Sequence, residues 1–237
     1  MNSASNPSLL FRIMIGFALA AMAAHPGSAK AKGAPFLGES QDGRPCSSFE
    51  KTNQGYGPFD YRRYSPEDRN LRLVEKAHFT PQVASLEGGE HGKTPQGDIN
   101  YTLRAFPNHH RALFSLIRYY TGTAERKYNL NPFNQSKYAP PECFLKRAIA
   151  FAPQDASLYF LFGTYLHRLG NLEIAAEKYR HGLDIEPNSA EGNYNFGLLL
   201  YKMGKFEKAQ EKAQKAYKQG YPLPGLREKL TQKGFAP

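Results

Sequence analysis

Residues 156–189 and 190–222 of this chain repeat one another at a fixed offset of 34. Reading forward from Ala156 and from Ala190, Phe162-Gly163 answers Phe196-Gly197, Gly170 answers Gly204, Leu172 answers Phe206 and Ala175 answers Ala209. Self-similarity at a period of a few tens of residues marks a repeat architecture, and 34 is the length of a helical pair with its turns. One such unit cannot bury its own apolar face, so it stacks on neighbours and leaves a groove. The pattern therefore predicts an all-α, short solenoid of helical hairpins and favours a binding module.

The N-terminus reads as a separate segment. Arg12 is its only charge before Lys30, and Ile13 to Ala24 is apolar throughout. A membrane span needs about 20 apolar residues, so this run is expected to be the core of a secretory signal, residues 1–29. Ala23, Ala29 and Ala31 are the candidate cleavage positions, with Ala29 favoured because Pro26-Gly27 breaks the helix just before it. A retained membrane anchor is the alternative. The mature chain of about 205 residues suits one domain, expected in the periplasm or outside the cell.

The formal net charge of the full chain is +10. For an exported protein this points away from nucleic acid and toward an acidic protein, acidic polysaccharide or an anionic surface. Acids are interspersed with the bases almost everywhere, so a generally basic solvated surface is the simpler account. Two cysteines, Cys46 and Cys143, permit one disulfide outside the cytoplasm; two unrelated thiols are the other reading.

Residues 30–64 are rich in Gly, Pro, Ser, Asn and Tyr without helical period and are expected to be an irregular arm. Its aromatic stretch Tyr56 to Arg63 is expected to pack on the body, the alternative being a ligand platform of tyrosines with Arg62 and Arg63. The helical domain occupies 65–237. Ser65-Pro66-Glu67-Asp68 should open a helix running to His78, and Thr80-Pro81 a short one closed by Gly88-Gly89. Asp98 should cap a segment ending at Phe106-Pro107. Asn108 should cap a helix burying Leu113, Leu116, Ile117 and Tyr120. Asp155, Asn171, Ser189 and Lys205 should begin the four repeat helices. A last helix from Pro224 to Lys233, with Leu226 and Leu230 inward, reads as a C-terminal cap on the final apolar face.

The alternation of bulky and small positions resembles the tetratricopeptide repeat family. The first repeat supplies Tyr159, Phe162-Gly163, Leu166, Gly170, Ala175, Tyr179, Gly182, Leu183 and Pro187. The second supplies Phe196-Gly197, Leu200, Gly204, Ala209, Ala213 and Ala216, but it has Asn193 where a bulky residue belongs, and its proline is displaced to Pro222. Pro153 and Pro107 look like the closing prolines of one or two degenerate units, 46 residues apart, which implies an insertion at 122–139.

In this family the first helix of each pair lines the concave face. Transferred position by position, the resemblance implies a groove of Phe160, Thr164, His167 and Arg168 from one repeat. Tyr194, Asn195, Leu198, Tyr201 and Lys202 come from the next, with Phe114 and Arg118 from the split unit. Rings give contact area, and Arg and Lys supply charge-assisted hydrogen bonds to an acidic segment. Phe160 and Thr164 stand where some members grip a peptide C-terminus with Lys and Asn, which argues against that mode.

Other chemistry is sparse. His109 and His110 are adjacent, so on a helix they point about 100 degrees apart and do not share a metal; His109 is expected to be a surface or hinge residue. The remaining histidines show no metal spacing, and no nucleophile motif, phosphate loop or carboxylate pair stands out. Lys202 to Lys218 spreads its lysines over several helix faces and reads as solvated surface. No cofactor or metal is implied. The expectation is a non-catalytic, exported scaffold for a peptide or protein of the cell envelope. The alternatives are a binder of acidic carbohydrate, or an enzyme with its site between the arm and the insertion.

Overall fold

Gly170 and Gly204 adopt φ of +86° and +73°, a conformation strained for any side chain with a Cβ. Each ends the first helix of a repeat and turns the chain back along it. The computed structural model describes residues 34–50, 56–122 and 138–236. The expected signal with its cleavage positions, and residues 123–137 of the expected insertion, lie outside them.

Ten helices occur among the described residues: α1 Arg69–His78, α2 Pro81–Ser85, α3 Gln96–Ala105, α4 His110–Thr121, α5 Pro141–Phe151, α6 Ala156–Leu169, α7 Leu172–Ile185, α8 Ala190–Lys202, α9 Phe206–Lys218 and α10 Gly225–Thr231. Each hairpin packs on itself, α4 on α5, α6 on α7 and α8 on α9. The first helices also touch in succession, α4 to α6 to α8 to α10, and form the inner layer of a helical solenoid. Leu226 and Leu230 of α10 are fully buried, closing the far end. At the near end α3 packs on α4, and α1 on α3.

The core runs without a break from Phe36 in the arm to Leu230. Small residues let the helices approach. Gly182 and Gly192 lie directly under the Phe160 ring, and a Cβ on either would overlap it. The second repeat keeps a function while changing a residue. Tyr159 donates its hydroxyl to the Pro153 carbonyl (3.1 Å), and Asn193, 34 residues later, donates Nδ2 to Pro187 at the same distance. The missing bulky residue is thus replaced by an amide that ties down the same turn.

The arm is irregular, with short 3-10 turns at Cys46–Phe49 and Tyr61–Arg63, and a disulfide, a buried arginine and a ring cluster are among the contacts that hold it to the body. Cys46 and Cys143 of α5 form a disulfide with Cα atoms 5.4 Å apart. Arg147, fully buried, donates Nε to the Ala34 carbonyl (2.5 Å) and Nη1 to that of Leu103 (2.6 Å). Phe59, Tyr61 and Tyr64 pack around Phe106 in a second, smaller core. Those rings are occupied by packing rather than laid open as a platform.

Two expected helix boundaries shift, and the side chains of three expected caps, Asp98, Asn108 and Asp155, are taken by tertiary partners instead. α1 begins after Asp68, with Ser65 to Asp68 forming a turn before it. Leu86 at φ +68°, rather than the Gly88-Gly89 pair, ends α2. Asp98 lies inside the first turn of α3, its carboxylate turned to His78, His91 and the loop between. Asn108 does not cap α4; it accepts from Tyr61 N (2.9 Å) and donates to Asp60 and Asp155. His109 caps instead, its Nδ1 accepting from Ala112 N (3.1 Å). Asp155 precedes α6, but its buried carboxylate receives Asn108 and His110 in place of the helix end.

Candidate functional site

The inner helices carry matching stripes. Ser157, Leu161, Thr164 and Arg168 on α6 recur 34 residues later as Glu191, Asn195, Leu198 and Lys202 on α8. Steps of 4, 3 and 4 residues keep each set on one helix face. On α4, Arg111, Phe114 and Arg118 take the corresponding row. A cavity of about 240 Å³ lies between the three helices at one end, walled by Arg111, Phe114, Leu161 and Glu191 among others.

The other end is basic. The guanidinium groups of Arg118 and Arg168 each lie 5.9 Å from the centre of the Phe114 ring, itself 40% exposed. Arg168 also donates to Thr121 Oγ1 at 3.4 Å. Among the described residues, none of the ion pairs includes Arg118, Arg168 or Lys202. All three occupy last turns of helices, where the negative helix end favours a cation by a few tenths of a kcal/mol, too little to neutralise three charges. The titration of their neighbours registers the resulting field. Burial pushes His167 down to about 4, helped by the charges of Lys202 and Arg168, so the ring is neutral at physiological pH. Arg168 is itself pushed down by burial and by Arg118. An aromatic face between two arginines, with a further lysine along the groove, is suited to a carboxylate-bearing segment with an apolar side chain.

Several residues expected in the groove face elsewhere. Phe160, 4% exposed, lines the inner cavity but spends most of its ring filling the space over Gly182 and Gly192. Tyr194, its counterpart, is 6% exposed and packs on Tyr221 with ring centres 4.3 Å apart. Tyr201 packs on Phe206 and lies under Lys229 of α10, in the seam with the terminal cap. These rings belong to the interfaces between units, where burying a large apolar side chain gains most. Thr164 bonds the Tyr179 hydroxyl (3.0 Å), while Asn195 and Leu198 are half-buried on the α8 stripe. Ser157, Leu161, Arg111 and Glu191 escaped the sequence reading. The 34-residue offset from Asn195 already pointed to Leu161, and one helical turn back to Ser157.

Two other features stand apart from the groove. Residues 39–41 of the arm and helices α5, α6 and α7 enclose an open cavity of about 610 Å³ on the outer side. Its walls include Ile149, Leu166 and Ile174. Part of its polar lining is engaged: Glu142 accepts from Gln41 N (2.8 Å) and Tyr165 OH (2.6 Å), and Lys146 donates to the Glu39 carbonyl. The second feature corrects the expectation that no histidines share metal geometry. His78, His91 and Asp98, far from a metal motif in sequence, present donor atoms all within 4.8 Å of one another.

His109 is likewise not a surface residue. It is fully buried, stacked on Tyr61 at 4.2 Å, and bonds Glu75 through Nε2 at 3.0 Å. Because Nδ1 accepts the Ala112 amide, the ring proton sits on Nε2, and burial keeps the ring neutral by pushing its pKa down.

No helix among the described residues is long and apolar enough to cross a membrane. Residues 163–204, from the middle of α6 through α8, match the family model described as TPR repeat. No curated protein matches the chain.

Proposed function

We propose that the protein is an exported, non-catalytic scaffold that holds an acidic peptide or protein segment of the cell envelope along its inner groove. TPR repeats generally mediate protein interactions, and the repeat match supports the class. The observation that carries the chemistry is Phe114 flanked by Arg118 and Arg168, with Lys202 one repeat further and no described acid paired to any of them. Export rests on the apolar N-terminal run and on the use of both cysteines in one bridge.

The test uses a glutamate-rich peptide carrying one phenylalanine, labelled for fluorescence anisotropy, with the wild-type chain and the Arg168→Glu, Lys202→Glu double variant. The double variant is expected to weaken binding at least about tenfold, since charge-assisted pairs contribute roughly 1.5–3 kcal/mol each. Helical content and Tm should change little, because exposed charge reversals cost within about 0.5 kcal/mol. Undiminished binding would show that Arg168 and Lys202 do not form the site and would overturn the reading. Retention of the wild-type chain on an acidic polysaccharide, with no affinity for the peptide, would favour the carbohydrate reading.

A further inference from the structure

We propose that His78, His91 and Asp98 form a binding site for a single divalent transition-metal ion of the zinc class, apart from the groove. The three come from different places: His78 is the last residue of α1, His91 lies in the loop between α2 and α3, and Asp98 is in the first turn of α3. Both imidazoles aim the same atom at the same oxygen. His78 Nδ1 is 2.9 Å, and His91 Nδ1 2.7 Å, from Asp98 Oδ1. Ligand atoms held at about 2.0–2.2 Å from one ion sit roughly 3 Å apart, so a small opening of the cluster admits the ion.

The surroundings hold these groups in place. Asp98 is 2% exposed, and its second oxygen accepts the backbone N–H groups of Glu90 (2.9 Å) and His91 (3.1 Å). The carboxylate therefore keeps its orientation with Oδ1 turned toward the two imidazoles, the outer-sphere support that metal sites need. The His78 ring stacks on Tyr101 with centres 3.9 Å apart, and its carbonyl accepts from Thr102 Oγ1. The His78 and His91 rings lie 4.5 Å apart, with their Nδ1 atoms converging on one oxygen. His91 has 61% of its side chain exposed, which leaves an entry path and a position for water.

Two neutral imidazoles and one carboxylate form a borderline donor set. It suits zinc, nickel or copper(II) and is poor for magnesium or calcium, which prefer oxygen ligands throughout. Without metal, the contacts to Oδ1 require each ring to carry its proton on Nδ1. An Nδ1 that ligates must give up its proton, which leaves the N–H of each ring on Nε2. The ion would clip the loop of residues 86–95 to the end of α1.

The experiment titrates the untagged full chain with zinc against a chromophoric chelator and follows cobalt(II) substitution by visible absorption. One ion per chain is expected, with a tetrahedral or five-coordinate cobalt spectrum. His91→Ala, an exposed position, and His78→Ala should each weaken zinc more than about tenfold, since even outer-sphere partners matter by that factor. His181→Ala, on the outer face of α7, should leave affinity unchanged. Failure of the wild-type chain to bind, or unchanged affinity in a folded His91→Ala variant, would overturn the site. A loss of affinity in His181→Ala alone would do the same by placing the ion elsewhere.

Discussion

Polar side chains in this protein are placed by their tertiary partners more than by the helix ends beside which they occur. Asn108, Asp155 and Asp98 all have the cap chemistry, yet a buried carboxylate or amide gains more from several fixed partners than from one helix-end amide. His167 shows the same dependence on surroundings and carries a pH prediction. Its folded pKa of about 4 lies below the ordinary 6.5, through burial first and the charges of Lys202 and Arg168 second. Between those two values the unfolded chain binds more protons than the folded one, so stability must fall as pH drops from about 6.5 toward 4. Denaturant midpoints measured across that range should decline more steeply for the wild type than for His167→Gln. Parallel curves would show that His167 is not desolvated.

Helix pairs meet where glycine or alanine faces a ring. Phe160 fits over Gly182 and Gly192 at once, so the close approach of α6, α7 and α8 depends on both positions. Gly192→Ala should destabilise the protein by about 1–3 kcal/mol through overpacking, although alanine is the better helix former. Thermal or chemical unfolding measures this, and Phe160→Leu in the same chain should recover part of the loss. A stabilised single variant would mean that the ring has room to move. The boundaries of the repeat helices were readable because Gly170 and Gly204 must take positive φ, and because apolar spacing persists through both hairpins. The helices before residue 110 were less so. α2 ends on a left-handed leucine, which has no recognisable sequence signal.

At the scale of the molecule, the arm adds no regular element, yet it is bound into the core of the solenoid. The Cys46–Cys143 bridge closes 97 residues of chain. On the chain-entropy account a loop near that length contributes about 4–5 kcal/mol by restricting the unfolded state. Cys46→Ser with Cys143→Ser should lower stability by a figure of that order and make residues 34–50 the first site of limited proteolysis. Equal protease resistance in the two forms would mean that Arg147 and the Phe106 cluster suffice to hold the arm.

The sequence by itself determined the repeat, the hairpin turns, the all-α class and the terminal cap, since these follow from local φ requirements and from apolar residues recurring at fixed intervals. It also placed Arg168 and Lys202 at matching points of the first repeat helices, because they are 34 residues apart, whereas Arg118, 50 residues before Arg168, joins them only through the packing of α4 on α6. Only the tertiary structure decided that Phe160, Tyr194 and Tyr201 turn into the seams between units, since the rotation of a helix about its axis depends on what its neighbours leave unfilled. It alone brought His78, His91 and Asp98 to one point, because a loop of no regular period carries His91 back to the end of α1.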